Sequence, residues 1–98
     1  MNKESLLRYM EAVHSGIKGD VVDGKTGRPV PNAVIKIRGN RKNIIATPSG
    51  EYWRLLPPGD HTISASAKGY RNSTPKLVFV PDRKQAQAVY HRIVLQPL

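Results

Sequence analysis

The apolar residues change their period once along this chain, near residue 16. From Lys3 to about His14, the residues Leu6, Leu7, Met10 and Val13 recur at spacings of three and four, which gathers them on one stripe of an amphipathic helix. Asn2 is placed to cap that helix and Gly16 to stop it. A helix of about a dozen residues is marginal in water by itself, so the stripe needs a surface to cover. From Ile17 onward the pattern becomes short β-prone runs separated by Gly, Pro and Asn. The runs are Ile17 to Val22, Ala33 to Arg38, Ile44 to Thr47, Glu51 to Leu56, His61 to Ala67, Leu77 to Val80 and Val89 to Leu95.

Within these runs the alternation assigns faces. Ala33, Ile35 and Ile37 point one way while Val34, Lys36 and Arg38 point the other, and His61, Ile63, Ala65 and Ala67 share a face. The run Glu51 to Leu56 has both ends marked: Gly50 can take a positive φ, and Pro57-Pro58-Gly59 interrupts a ladder. Alternation there sends Tyr52 and Arg54 to one side and Trp53 and Leu55 to the other. The tendency of Trp to be largely buried then predicts Trp53 and Leu55 as core, with Ile35, Ile37 and Ile63. Tyr70, after Gly69 in a turn, is expected to anchor a corner through its hydroxyl. Since no helical segment separates the strands, the sheets should be mainly antiparallel with Greek-key connections. The fold class is all-β, a two-layer sandwich of about seven strands with a short N-terminal helix.

Four segments carry a family resemblance. They are His14-Ser15-Gly16-Ile17-Lys18-Gly19, Asn32-Ala33-Val34-Ile35, the decapeptide Gly50-Glu51-Tyr52-Trp53-Arg54-Leu55-Leu56-Pro57-Pro58-Gly59, and Ala65-Ser66-Ala67-Lys68-Gly69-Tyr70. Together they resemble the transthyretin-like domain that follows the catalytic domain in the carboxypeptidase N/E (regulatory) subfamily of zinc metallocarboxypeptidases, of which carboxypeptidase D is a member. The stretch from Asn2 to Glu11 resembles the last helix of that catalytic domain. The resemblance breaks at Gly39-Asn40-Arg41-Lys42-Asn43. It implies that residues 1–15 are the terminal helix of the preceding domain with its linker, and that residues 16–98 are a transthyretin-like (prealbumin-like) β-sandwich. It also implies a parent that removes C-terminal Lys or Arg from peptides and proteins in the secretory pathway, outside the cell or at its surface. On that reading this domain is a non-catalytic partner of the catalytic domain, which would hold the zinc.

Composition narrows the chemistry. The 98 residues contain no cysteine, so neither a disulfide nor a thiolate is available. No apolar run approaches the roughly 20 residues of a membrane span, and the N-terminus lacks a signal-peptide core. Sixteen Lys and Arg against seven Asp and Glu give a net charge of +9, a balance that favours acidic partners. The cations are spread along the chain and cluster only at Lys36, Arg38, Arg41 and Lys42, which argues against nucleic acid. That cluster suggests a second reading, a basic module in which Arg38, Arg41 and Lys42 contact an acidic protein or an anionic glycan.

Candidate catalysts are few. Glu11 and His14 have the spacing of a carboxylate and imidazole on one helical face, but a metal bundle needs partners on further helices. No His precedes a Glu by three positions, so the zinc site of the resembled peptidases is not encoded, and no cofactor is expected in this chain. The serines lack a nucleophile-elbow pattern, and His61 and His91 fall on strands without an indicated carboxylate partner. The transthyretin fold also includes hydroxyisourate hydrolases, which end in Tyr-Arg-Gly-Ser; this chain ends Leu95-Gln96-Pro97-Leu98, which disfavours that third reading. Asn72-Ser73-Thr74 is an N-glycosylation sequon. Three runs of high β-propensity, Val34 to Ile37, Leu77 to Val80 and Ile93 to Leu95, make the domain prone to aggregate when destabilised.

Overall fold

The computed structural model describes residues 16–81 and 88–98. The helix expected over 3–14, its Glu11 and His14 pair, and the polar stretch 82–85 lie outside the described residues. Seven strands occur among the described ones: β1 (Gly16–Asp23), β2 (Val34–Ile37), β3 (Ile44–Ile45), β4 (Glu51–Leu55), β5 (Gly59–Ser66), β6 (Lys76–Val80) and β7 (Ala88–Leu95). They form a three-stranded sheet in the order β4-β1-β7 and a four-stranded sheet in the order β3-β2-β5-β6. The two inner faces share one core, with Ile17, Val21, Tyr52 and Leu95 from one sheet and Ile35, Ile63 and Val80 from the other, all at 2% exposure or less.

Four of the five ladders are antiparallel. The exception joins β1 to β7 in parallel through eight register partners, from Gly16↔Ala88 to Asp23↔Leu95. A parallel pair requires a long crossover between its strands. Among the described residues no helix supplies it, and the chain instead passes through the whole four-stranded sheet between β1 and β7.

The structure corrects the phase of β4. Tyr52, not Trp53, is the buried aromatic at 1% exposure; Trp53 is half-buried, and Leu55 is 39% exposed on the outer face. Leu56, in phase with Tyr52, takes the buried place instead. The cause lies in β1, where Gly19 stands opposite both Tyr52 and His91. Without a side chain at Gly19, the Tyr52 ring crosses β1, and its hydroxyl donates to the His91 carbonyl at 2.7 Å. A Cβ at Gly19 would overlap that carbonyl oxygen and touch the Tyr52 hydroxyl. Tyrosine suits this place because its ring fills the core and its hydroxyl satisfies a main-chain acceptor. Ile35, Ile37 and Ile63 lie inward at 0%, 4% and 2% exposure. Gly50 takes φ +75 in the turn leading into β4, where its N–H donates to the Thr47 carbonyl at 2.8 Å.

Candidate functional site

Three surfaces hold several of the residues that the sequence singled out. The first is the outer face of the β4-β1-β7 sheet. Register places Lys18 between Trp53 and Tyr90, with Gly16 between Leu55 and Ala88 on one side and Asp20 between Glu51 and Arg92 on the other. A recess of 240 Å³ opens among Lys18, Asp20, Glu51, Trp53 and Tyr90. Arg92 clasps Asp20 with two donors, Nε to Oδ1 and Nη2 to Oδ2, both at 2.9 Å, and the Tyr90 hydroxyl donates to Oδ1 at 2.9 Å. These donors, the Arg92 guanidinium first, hold the Asp20 carboxyl below its ordinary value, and the carboxylate in turn raises Arg92. An exposed pair of this kind adds little stability, but the bidentate geometry fixes the direction of both side chains. Leu55, Tyr90 and Val94 are exposed beside it.

The second surface is the corner around Tyr70. Its hydroxyl donates to Asp23 Oδ2 at 2.7 Å, while Asp23 Oδ1 accepts from the backbone N–H of Lys25 and of Thr26. One carboxylate therefore closes the turn after β1 and ties it to the segment after β5. The bond from Tyr70 keeps Asp23 ionised to lower pH and pushes the phenol up. In the next loop Asn72 is exposed, and Ser73 is fastened to β5: its N–H donates to the Ala65 carbonyl, and its Oγ accepts from the Ala65 N–H at 2.7 Å.

The third surface is the basic cluster, where Lys36, Arg38, Arg41 and Lys42 are all exposed on β2 and the loop after it. Of the described histidines, His91 lines a recess with Ser73, Lys76 and Arg92. His61 Nε2 donates to the Pro57 carbonyl at 2.7 Å. Among the described residues no group of three His, Cys, Asp or Glu could hold a metal ion. Lys18, Asp20, Tyr90 and Arg92 were not singled out from sequence, although the alternation of β7 puts Tyr90, Arg92 and Val94 on one face.

His91 makes acid stability testable. Burial pushes its imidazole below the ordinary value, and the Lys76 charge adds to the push. The unfolded chain therefore binds this proton more readily, so the His91 contribution is complete above about pH 6.5 and shrinks as pH falls toward the folded value. Asp20 and Asp23, both held low, contribute above about pH 3.9 and lose that contribution as pH falls through their folded values. Melting temperatures should decline in two stages on acidification, and His91→Gln should flatten the first stage alone. An unaltered first stage in that variant would contradict the assignment.

Residues 16–96 match the family described as Carboxypeptidase regulatory-like domain. The chain belongs to that family. The regulatory-like domain is 50% identical over 97 residues to carboxypeptidase Z of Homo sapiens, an alignment covering 99% of this chain and 14% of that protein. It is 41% identical over 76 residues to carboxypeptidase D of Mus musculus, covering 78% of this chain and 6% of that protein. The chain thus spans about one seventh of the carboxypeptidase Z length. Among solved structures it is similar to GBS52, the minor pilin of Streptococcus agalactiae, with a TM-score of 0.60 at 16% identity over 87% of this chain and 46% of that one. A DUF3823 family protein from Bacteroides ovatus gives a TM-score of 0.57 at 13% identity, over 86% and 45%. At these identities the likeness to the regulatory-like domain is one of fold.

Proposed function

We propose that this chain is a non-catalytic accessory domain of a zinc metallocarboxypeptidase that removes C-terminal Lys or Arg. The observation that supports this most is the 50% identity to carboxypeptidase Z across 99% of the chain. Residues 1–15 are the terminal helix and linker of the catalytic domain, and the zinc belongs to that domain. The whole protein works in the secretory pathway or outside the cell, where Asn72, exposed on an anchored loop, carries a glycan. The accessory role is physical: a rigid sandwich covers apolar surface on its neighbour, and a tether in one chain keeps the two at high effective concentration. The outer face of the β4-β1-β7 sheet suits this role, because Leu55 and Trp53 lie in the rows nearest Gly16, where the chain enters the sandwich.

Outer-face side chains can be replaced there without emptying the core, which gives a direct test. Leu55→Arg with Trp53→Ser should leave the 98-residue chain with a cooperative melt, yet lower the melting temperature or secreted yield of the complete carboxypeptidase. An unaffected complete enzyme would sink this choice of face. Lys or Arg release by the purified 98-residue chain, persisting after contaminating peptidase is removed, would sink the accessory reading itself.

A further inference from the structure

The outer face of the four-stranded sheet carries charge of nearly one sign. Lys36 projects from β2, Arg38 follows its end, and Arg41 and Lys42 lie in the loop to β3; no carboxylate among the described residues pairs with any of them. Three of the four described acids, Asp20, Asp23 and Glu51, belong to β1 and β4 in the other sheet. The fourth, Asp60, stands at the far end of β5 opposite Phe79.

An open recess of 450 Å³ lies in this face, lined by Lys36, Arg38, Asn40, Asn43, Thr62 and Ser64. Its floor is built by the ladder: Lys36 is the register partner of Ser64, and the Arg38 N–H donates to the Thr62 carbonyl at 2.9 Å. Cations and hydroxyls thus alternate across two strands, with two amides from the loop along one wall. Guanidinium, ammonium, hydroxyl and amide N–H are all donors, and together they suit the oxygens of sulfate esters.

We infer that this recess binds a sulfated polysaccharide laid along the β2 and β5 face. Such binding does not depend on the carboxypeptidase reading. Two competing polyanions fit less well. No aromatic ring lines the recess, so bases of a single-stranded nucleic acid would find no stacking platform. An anionic bilayer drawn onto the exposed Leu77 and Phe79 would press against Asp60, which repels it.

The test is titration of the 98-residue chain with a heparin-derived octasaccharide and its fully desulfated counterpart at about 150 mM salt, where the screening length is about 8 Å. The sulfated form alone should bind, more weakly as salt rises. The combination Lys36→Ser, Arg38→Ser, Arg41→Ser and Lys42→Ser should weaken binding about tenfold or more, equivalent to roughly 1.4 kcal/mol. Removal of four exposed cations elsewhere, Lys25→Ser, Arg28→Ser, Lys68→Ser and Arg71→Ser, should have a much smaller effect. Lys36→Ser alone, at an exposed side chain that lines the recess, preserves the test should the fourfold variant not fold; it should weaken binding more than Lys25→Ser alone. Equal losses in the matched sets, equal binding of the desulfated sugar, or no binding of the sulfated one would overturn the inference. Tighter capture of a single-stranded oligonucleotide or of phosphatidylserine vesicles through the same four cations would overturn it in favour of that partner.

Discussion

Tyr52→Ala is expected to cost the domain about 3–5 kcal/mol, a large share of the roughly 5–15 kcal/mol that holds a small protein together. Among the described residues its ring is the largest fully buried side chain, and burial together with the neighbouring Asp20 charge raises the phenol well above its ordinary value. Tyr52→Phe should cost only about 1 kcal/mol, because it removes a single donor from the His91 carbonyl. Trp53→Ala, at a half-buried outer position, should cost less than Tyr52→Ala. Denaturant unfolding of the three variants decides the order, and a larger loss at Trp53 would show that the phase of β4 is inverted. Partial unfolding also has a second consequence. β6 is an edge strand that exposes Leu77 and Phe79, so Tyr52→Ala should raise a thioflavin signal faster than the wild type.

Gly19→Ala should be nearly as damaging, at about 3 kcal/mol, for the opposite reason. It adds one methyl where a main-chain oxygen already stands, and a carbonyl held in a ladder cannot swing aside as a side chain can. Combining Gly19→Ala with Tyr52→Phe separates the two contacts. If the His91 carbonyl is the obstacle, losing the hydroxyl will not restore stability. Recovery in the double variant would assign the clash to Tyr52 instead.

These two residues show what sequence reading captures. Every strand was visible as a β-prone run between turn residues, because turns and alternation are local properties. The faces of β2 and β5 followed as well, since Ile35, Ile37 and Ile63 alternate with polar neighbours. In β4 the local pattern was ambiguous: Tyr52 and Trp53 are adjacent aromatics, and burial frequency favoured the larger. What decided between them was a glycine 33 residues earlier that makes room on the inner side, a cross-strand relation that alternation within β4 does not contain. The Asp20, Tyr90 and Arg92 constellation was hidden for the same reason, because it exists only once β1 and β7 pair in parallel. The basic cluster was legible because its members are close in sequence. The hydroxyls of Thr62 and Ser64 that complete its recess come from β5, and only the β2–β5 register reveals them.

The parallel joining of the first strand to the last also governs how the domain responds to a pull. Tension along the chain draws the start of β1 one way and the end of β7 the other, and the eight-partner ladder between them lies along that line. The load falls on its hydrogen bonds in shear, so they must yield together. An antiparallel hairpin gripped at its open end would peel apart one pair at a time. Mechanically the sandwich is a tie bar: it holds what lies before Gly16 and after Leu95 at a fixed separation, about the 26 Å length of an eight-residue strand, until the whole ladder breaks.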